Sequence, residues 1–328
     1  MRPTMSEADR SAEERYDCVV IGAGPAGLSA ALNLTRARMR VLVVDSDRPR
    51  HAATMVSHGF LTRDGVPPHE LRRLAREEVE RYPEAEVLRR CSVESVSDVD
   101  READAQPSPH RFITRVTGRT PALSRTVRSR AVLVATGLRE TLPDVPGIRG
   151  FYGMSLFSCV ACDGYEMGSR PLALIGETDD LFRRALLVAQ WSPQVTVFTN
   201  GVARLTVAEE IQLAERGIRV DRRAIAELEG DRGILTGVRL RGGDRVAVTV
   251  GFVRPAWHPI VDFLSALNLD VDNSGLLKTD RDGRTSLPGV YAAGDVTAPG
   301  PQQLIVAAGA GARSAASITH DLLGVATR

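Results

Sequence analysis

The sequence predicts an α/β fold built from two Rossmann-like nucleotide-binding units. Two observations carry this prediction. Residues 16–45 read as a buried strand, a glycine turn, a helix and a second strand, and residues 171–198 repeat that order. At 328 residues the chain is too long for one ordinary core, so two domains are expected.

The turn after the first strand has the spacing of a dinucleotide-binding fingerprint. Gly22 allows the tight turn, Gly24 lets backbone amides approach a pyrophosphate, and Gly27 lets helix and strand pack closely. The phosphates would lie at the helix N-terminus, and Asp45 at the end of the second strand would bind ribose hydroxyls. An ordinary glycine-rich turn is the alternative, which the complete order of strand, glycines, helix, strand and acid disfavours.

Two later segments complete the first site. Residues 130–137 read as a buried strand that ends in Thr136-Gly137, and residues 287–295 read as a strand that closes on Gly294-Asp295, with a helix over 302–320. Asp295 is placed to accept hydroxyl groups from the ribityl chain of a flavin. The alternative is that Asp295 only caps a turn.

The second unit has lost its glycine fingerprint. After Ile175-Gly176, Thr178 stands where the first unit has Gly24, and Leu181 stands where it has Gly27. The acids Glu177, Asp179 and Asp180 would repel a phosphate from the amides it needs. The following strand leads into residues 199–201, Thr-Asn-Gly, without the arginines that a 2′-phosphate would need. We therefore expect that this unit keeps the fold and does not bind NADPH.

Cys159 and Cys162 are separated by two residues, so they can close a small disulfide and exchange two electrons. A lone pair of this spacing is typical of a redox or a metal site. Zinc would need further ligands, but Cys18 lies in a buried strand and Cys91 is isolated, so no metal is expected. Asp163 is a candidate acid or base for the thiols; equally, it suits the first turn of a helix as a dipole-favoured acid.

The composition excludes some classes of protein. Net charge is +1, and arginines alternate with acids, as in residues 72–78, which predicts a solvated helix face and no nucleic-acid patch. No apolar run approaches the roughly 20 residues of a membrane span. Residues 1–15 are polar and lack a secretory pattern, so we interpret them as a disordered leader and the protein as cytoplasmic.

The motifs GAGPAG, ATG, CVACDG, PGVYAAGD and QxxxAAGxG follow one another in this chain, and with them it resembles the low-molecular-weight thioredoxin reductase family. The resemblance implies two Rossmann-like domains, the second inserted in the first: an FAD-binding domain of residues 16–141 plus 252–328, and an inserted NADPH-domain-like module of 142–251 that carries the cysteines. It also implies a homodimer and a rotation of the module relative to the flavin.

The departures from this family favour one branch of it. The sequence Cys-x-x-Cys-Asp-Gly-Tyr-Glu and the segment 58–65, His-Gly-Phe-Leu-Thr-Arg-Asp-Gly, are similar to the FAD-dependent dithiol oxidases that close disulfides in natural products of the gliotoxin and holomycin type. Gln302 stands where reductases carry an arginine. The family places the segment with His51 and His58 near the flavin, so either could be the base, although a lone histidine is more often structural.

The resemblance implies a reaction in which a small-molecule dithiol attacks Cys159 and leaves as a cyclic disulfide. Cys162, the flavin-facing thiol in the family, would pass the electrons to FAD, and O2 would take them to give H2O2. One alternative is a thioredoxin-disulfide reductase fed by a donor other than NADPH, such as a ferredoxin. Another is a flavoprotein that binds or senses without turnover, against which the cysteine pair argues.

The expected site residues fall into two groups. Those expected to bind FAD are Gly22, Gly24, Pro25, Ala26, Gly27, Asp45, Ser46, Thr136, Gly137, Gly294, Asp295, Gln302, Gln303 and Leu304. Those expected to take part in the chemistry are Cys159, Cys162, Asp163, His58 and His51.

Overall fold

The computed structural model describes residues 14–101, 108–298 and 300–325, and it leaves the side chains of His51 and Arg101 undescribed. The regular elements occur in the chain order β1 (Glu14–Ile21), α1 (Pro25–Arg36), β2 (Val41–Asp45), α2 (Pro68–Glu80), β3 (Ala85–Arg89), β4 (Cys91–Asp98), β5 (Phe112–Gly118), β6 (Arg125–Val134), β7 (Leu138–Thr141), β8 (Leu156–Phe157), α3 (Val160–Met167), β9 (Leu172–Gly176), α4 (Leu181–Val188), β10 (Val195–Phe198), α5 (Val207–Glu215), β11 (Arg219–Asp221), β12 (Ile225–Asp231), β13 (Ile234–Leu240), β14 (Arg245–Val246), β15 (Val250–Arg254), β16 (Ala256–Pro259), β17 (Val290–Ala292) and α6 (Leu304–Leu323).

The chain divides into two compact units. Among the described residues, the first contains residues 14–50, 69–101, 108–139, 259–298 and 300–325, and the second contains residues 51–68 and 140–258. Both parts of the second unit thus lie between parts of the first along the chain, while the domain limits expected from the sequence stay a prediction. Segment 51–68 differs from the expectation, because it groups with the second unit and not with the domain predicted to bind FAD.

The first unit is organised around a sheet of order β3-β2-β1-β6-β5-β4, with β17 paired to β6. Strand β1 runs parallel to both β2 and β6, so that Val20 lies between Val43 and Leu133. In their carboxyl-terminal parts, at residues 18–21, 41–44 and 131–134, these strands are continuously apolar and buried, as expected for parallel strands covered on both faces. Their carboxyl ends therefore meet at one edge of the sheet, where the predicted cofactor residues lie.

The second unit has a parallel sheet of order β11-β10-β9-β15-β8 and an antiparallel sheet of β12, β13 and β14. Strand β9 is central, with Ile175 opposite Phe198 on β10 and Val253 on β15. Helices α3 and α4 follow β8 and β9 in the chain. This arrangement matches the prediction of a second Rossmann-like unit.

Element boundaries differ from the sequence predictions at three places. Strand β1 begins at Glu14, so the expected leader of residues 1–15 is too long by two residues; residues 1–13 lie outside the described residues. The last helix spans Leu304–Leu323 instead of 302–320. The sequence predicts a helix over 181–190 and a strand over 195–198; helix α4 ends at Val188, whereas β10 has the predicted bounds.

Candidate redox site

Cys159 and Cys162 form a disulfide in the second unit, with 5.3 Å between their Cα atoms. Cys159 is the N-cap residue of α3, and its carbonyl accepts the backbone N–H of Asp163 at 3.2 Å. Gly164 on the same helix lies against the indole of Trp191, because a Cβ placed on it would be 2.8 Å from the ring. The disulfide therefore lies at the start of a helix that is packed closely into its unit.

The carboxyl group of Asp163 lies one residue beyond the disulfide. Burial raises its pKa to about 7, while His58 opposes this rise and Glu166 adds to it. A carboxyl group with this pKa gains and loses a proton near neutral pH, which is what a general acid or base for thiols requires. Asp163 also lies in the first turn of α3, so both readings from the sequence fit its position.

His58 lies between two carboxylates of the second unit. Its Nδ1 is 3.4 Å from Oδ2 of Asp64, and its Nε2 is 3.4 Å from Oε1 of Glu166 on α3. Asp64 also accepts the backbone N–H of Gly59 at 2.7 Å. The sequence motifs contain both acids, but reasoning from the sequence gave neither of them a role.

The segment that carries His58 is closed by its own backbone. Ser57 donates its N–H to Val66 at 3.1 Å and accepts the N–H of Gly65 at 2.9 Å. His51, the other candidate base, lies in the short helix Arg50–Ala53, and its side chain belongs to the undescribed part of the chain. The structure therefore brings His58 and Asp163 together, and the role of His51 stays a prediction.

The turn after β9 is filled by the acids that replace the glycine fingerprint. Glu177 accepts a hydrogen bond from Nδ2 of Asn200 at 2.7 Å. Asp180 accepts hydrogen bonds from Nε of Arg254 at 2.8 Å and from the hydroxyl of Thr178 at 2.7 Å. These carboxylates are thus fixed by partners in the same unit, at the end of the strand where a nucleotide phosphate would approach a glycine loop.

Arg254 is fixed on two sides in this turn. Its guanidinium lies 4.4 Å from the centroid of the Trp257 ring and also binds Asp180. A Cβ on Gly176 would lie 2.9 Å from Cβ of Arg254 and 2.8 Å from Cδ2 of Leu181. The side chains pack closely around the position of the lost fingerprint.

The glycine loop of the first unit has the geometry that a pyrophosphate needs. Gly22 has φ of +108°, and Gly27 packs so closely that a Cβ on it would lie 1.9 Å from the carbonyl oxygen of Gly22. Gly24 is the N-cap residue of α1, and no heavy atom lies within 4 Å of its Cβ position. Pro25 occupies the first helical position, and Ala26 follows it. The open side at Gly24 allows a phosphate to reach the amides of the helix start.

Asp45 lies at the end of β2, as predicted, but it has two neighbours that the sequence did not reveal. Its Oδ2 lies 3.3 Å from Nη2 of Arg72 and 3.8 Å from Arg76, both on α2. Arg72 is only 9% exposed, so the prediction of a solvated helix face is wrong for this residue. Exposed Arg73, which pairs with Glu70, follows the prediction.

Arg72 and Arg76 each bury an Nε that finds no hydrogen-bond partner among the described residues. Buried polar atoms of this kind usually bind a ligand or water. Their position beside Asp45 fits the adenosine end of a dinucleotide. Ser46, the next predicted contact, is exposed at the same strand end.

Asp295 follows β17 and lies in the first unit beside Arg50. Burial raises the pKa of its carboxyl, and the Arg50 guanidinium opposes that rise. Nη1 of Arg50 also donates to Oε1 of Gln302 at 3.3 Å. A Cβ on Gly294 would lie 2.9 Å from Cβ of Ala26, so this strand end reaches the start of α1. The sequence analysis did not identify Arg50 as a site residue. Its partner Asp295 is more than 240 residues away, and no sequence motif links the two positions.

The remaining predicted contacts lie at the same sheet edge or on α6. Thr136 donates its hydroxyl to the carbonyl of Ile260 at 2.9 Å, and Gly137 has φ of +66°. Gln303 is the N-cap residue of α6, and Leu304 is its first residue. The whole set fits a flavin dinucleotide, with the glycine loop for the phosphates and two buried acids at the strand ends.

Two other sequence expectations concern metals and membranes. Cys18 and Cys91 are buried free thiols, and burial raises the pKa of both. Within the described ranges no group of three His, Cys, Asp or Glu side chains could hold a metal ion. The same part of the chain contains no helix that is both long and apolar enough to cross a membrane.

Comparison with known proteins gives a consistent result. A family model described as pyridine nucleotide-disulphide oxidoreductase matches residues 16–311. The crystal structure of HlmI has a TM-score of 0.86 at 37% identity, covering 96% of this chain and 94% of that one. The putative thioredoxin reductase TrxB from Bacillus anthracis has a TM-score of 0.84 at 34% identity, covering 94% and 99%. These likenesses confirm the predicted fold class.

The curated relatives are more distant in sequence. The probable thioredoxin reductase of Arthroderma benhamiae is 31% identical over 189 residues, which are 58% of this chain and only 45% of that relative. Thioredoxin reductase aclD of Aspergillus oryzae is 28% identical over 294 residues, which cover 85% of this chain and 88% of that protein.

Proposed function

The chain belongs to the pyridine nucleotide-disulphide oxidoreductase family, and from that premise we propose that it is an FAD-dependent dithiol oxidase that closes a disulfide in a small-molecule natural product. It is a thioredoxin reductase-like flavoprotein and an oxidoreductase that acts on thiols and disulfides. One observation carries the finer proposal: the Cys159–Cys162 pair is retained, while Glu177 and Asp180 fill the second glycine loop.

FAD would be held by the first unit. The glycine loop at Gly22, Gly24 and Gly27 would bind the phosphates, Asp45 the ribose, and Asp295 the ribityl chain. When bound, FAD supplies a two-electron acceptor for the protein dithiol and passes the electrons to O2, which leaves as H2O2.

The cysteine pair would carry the thiol chemistry. A thiolate of the substrate attacks Sγ of Cys159, the protein disulfide breaks, and Cys162 leaves as a thiolate. The second thiol of the substrate then attacks the substrate's first sulfur, which is bonded to Sγ of Cys159 in the mixed disulfide. This forms the product disulfide and releases Cys159 as a thiolate. Two electrons pass from the substrate to the protein pair, and the two substrate protons leave through Asp163, His58 or solvent.

We propose that this enzyme does not take electrons from NADPH. A pyrophosphate at the second loop would meet the carboxylates of Glu177 and Asp180, which already bind Asn200 and Arg254. Repulsion between these carboxylates and the negative charges of a pyrophosphate would disfavour binding. The substrate dithiol would then be the electron donor.

A thioredoxin-type reductase with another donor, such as a ferredoxin, is the second candidate. The observation in its favour is that the curated relatives carry the name thioredoxin reductase. It would use the same two cysteines and FAD, with electrons flowing from the flavin to the disulfide.

Anaerobic addition of reductants to the flavin-loaded protein, followed by flavin absorbance, distinguishes these two functions. We expect dithiothreitol to bleach the flavin, air to restore the colour with release of peroxide, and NADPH and NADH to have no rapid effect. Cys162→Ser should abolish the bleaching by dithiol. Rapid bleaching by NADPH would refute the proposal, and bleaching by reduced ferredoxin alone would favour the reductase.

The oligomeric state, the cellular location and the domain limits are also proposals. We propose a homodimer in the cytoplasm, with an FAD-binding domain of residues 16–141 plus 252–328 and an inserted module of 142–251. The grouping of the described residues supports an inserted unit with nearly these limits. Size-exclusion chromatography with light scattering would test the dimer.

A further inference from the structure

The carboxylate of Glu166 lies against the imidazole of His58, and the thiol chemistry above gives Glu166 no role. Oε1 of Glu166 is 3.4 Å from Nε2 of His58, and Oδ2 of Asp64 is 3.4 Å from Nδ1 of the same ring. The side chain of His58 is 25% exposed, whereas that of Glu166 is 41% exposed. Each nitrogen of this largely buried ring therefore faces one carboxylate.

We propose that Glu166 is a positioning residue that holds the His58 imidazole against α3, the helix that carries Cys162 and Asp163. This inference rests on the proposed function, because it concerns how the acid beside the disulfide is tuned. In this role Glu166 would not act on the disulfide sulfurs or on the substrate directly. It acts through the position of His58.

Segment 51–68 packs against other parts of its own unit. Near its start, Ala53 packs against Gly153, since a Cβ on Gly153 would lie 2.0 Å from the carbonyl oxygen of Ala53. Beyond that point, the hydrogen bonds of residues 57–66 mostly close the segment on itself. The contact between His58 and Glu166 attaches the middle of the segment to α3.

The contact also affects the proton balance beside the disulfide. The groups that act on Asp163 are His58, whose charge favours the carboxylate, and Glu166, whose charge disfavours it. The groups that face His58 are Asp64, Glu166 and Asp163. Loss of the Glu166 charge alone should lower the pKa of Asp163, whereas loss of the His58 position should raise it. The two effects have opposite signs, so they can be separated.

The alternative is that the pair is an ordinary partly exposed ion pair, which adds little stability and orders nothing else. In that case the effects of His58 and Glu166 on Asp163 would be independent. Residues that act as a unit give non-additive effects in a double-mutant cycle.

The test uses Glu166→Gln, Glu166→Ala, His58→Gln and the double variant Glu166→Ala/His58→Gln in the flavin-loaded protein. Glutamine keeps an oxygen that can accept from His58, whereas alanine removes it. Glu210→Ala is the matched control, because Glu210 pairs with Arg222 on the surface of the same unit. Titration of the Asp163 carboxyl by carbon-13 NMR, with Asp163→Asn for assignment, measures the pKa without turnover. Hydrogen exchange of the amides in residues 57–66 measures how firmly the segment is held.

We expect Glu166→Ala to speed exchange of these amides by about threefold or more, with Glu166→Gln and Glu210→Ala closer to wild type. The pKa of Asp163 should be higher in Glu166→Ala than in Glu166→Gln, and the rise caused by His58→Gln should be at least about halved in the Glu166→Ala background. Equal pKa values in the two Glu166 variants, with an unchanged effect of His58→Gln, would overturn the proposal. A protein that shows the expected coupling but is not bleached by dithiol would refute the proposed oxidase and leave the positioning role standing.

Discussion

Arg50 and Asp295 form an ion pair in the first unit, with 2.5 Å between Nη2 of the guanidinium and Oδ2 of the carboxylate. Both side chains are about four-fifths buried, being 22% and 19% exposed. The acid expected to bind the flavin ribityl chain therefore has a cationic partner in its own unit.

Arg50→Gln should lower the free energy of unfolding by about 2 kcal/mol at pH 8, because it leaves a buried carboxylate without its cation. Burial already raises the pKa of Asp295, and loss of Arg50 raises it further. The folded state then holds a proton that the unfolded state releases, so stability falls as pH rises through the folded pKa. Urea unfolding between pH 5 and 8 should show that the difference in unfolding free energy between wild type and Arg50→Gln becomes smaller at low pH. Arg73→Gln on the exposed face of α2 is the control, and a difference independent of pH would contradict the assignment.

Gly24→Ala and Gly27→Ala should separate cofactor binding from folding. A methyl group on Gly24 meets no atom within 4 Å, so the variant should fold with a stability within about 0.5 kcal/mol of wild type. The same methyl would stand where a phosphate approaches, so FAD affinity should fall by about tenfold or more. Gly27→Ala should lower stability as well, because its Cβ would lie 1.9 Å from a carbonyl oxygen. Flavin fluorescence and thermal unfolding would measure the two effects, and normal FAD binding by Gly24→Ala would contradict the phosphate position.

Asp163→Asn should slow the anaerobic reduction by dithiol by about 10²-fold or more, because the amide neither accepts nor donates the thiol proton. It should also remove the ionisation with pKa about 7 from the pH profile. Stopped-flow measurement of flavin absorbance from pH 5 to 9 would show both changes. A variant that keeps the inflection near pH 7 would assign it to another group.

The same variant should change how stability depends on pH. Asp163 has a folded pKa of about 7 against an ordinary value of 3.8, so the folded state binds more protons than the unfolded state between these values. Its contribution to stability is therefore complete below about pH 4 and is lost as pH rises towards 7. Asp163→Asn should lose less stability than wild type over this window, as judged by thermal unfolding at both ends of it.

Asn200→Gly and Asn200→Ala should distinguish hydrogen bonding from backbone strain at the second loop. The Asn200 amide donates to Glu177 and to the carbonyl of Asp144, and it accepts the N–H of Ile225. Asn200→Gly should lower the free energy of unfolding by about 1–2 kcal/mol, because it removes these hydrogen bonds. Asn200→Ala should lower the free energy of unfolding by about 1 kcal/mol more than glycine does, because residue 200 has φ of +51°, a left-handed conformation that disfavours alanine. Equal losses would show that the left-handed backbone costs nothing here.

Much of the fold was predictable because its signals are local. The glycine spacing predicted the turn between β1 and α1, and the structure starts α1 at Pro25 with Gly24 as the N-cap. The apolar run of residues 195–198 predicted β10 to the residue. The spacing of Cys159 and Cys162 predicted the disulfide.

The partners of the predicted site residues were not predictable, because they come from distant parts of the chain. Arg72 looked like one of several solvated arginines, and only the packing of α2 brings it to Asp45. Glu166 meets His58 from α3, a separate part of the chain, and its spacing carries no sign of that contact. The roles of the predicted catalytic residues remain predictions for the experiments above.

The packing of α6 on α1 has a consequence for biosynthesis. A Cβ on Gly311 would lie 2.0 Å from the carbonyl oxygen of Ala26, so the last helix covers the beginning of the first one. During translation the glycine loop at residues 22–27 is made long before helix α6, which begins at Leu304. A nascent chain that has not yet reached α6 would therefore lack the helix that covers the glycine loop, and we expect stable flavin binding only after α6 has been made.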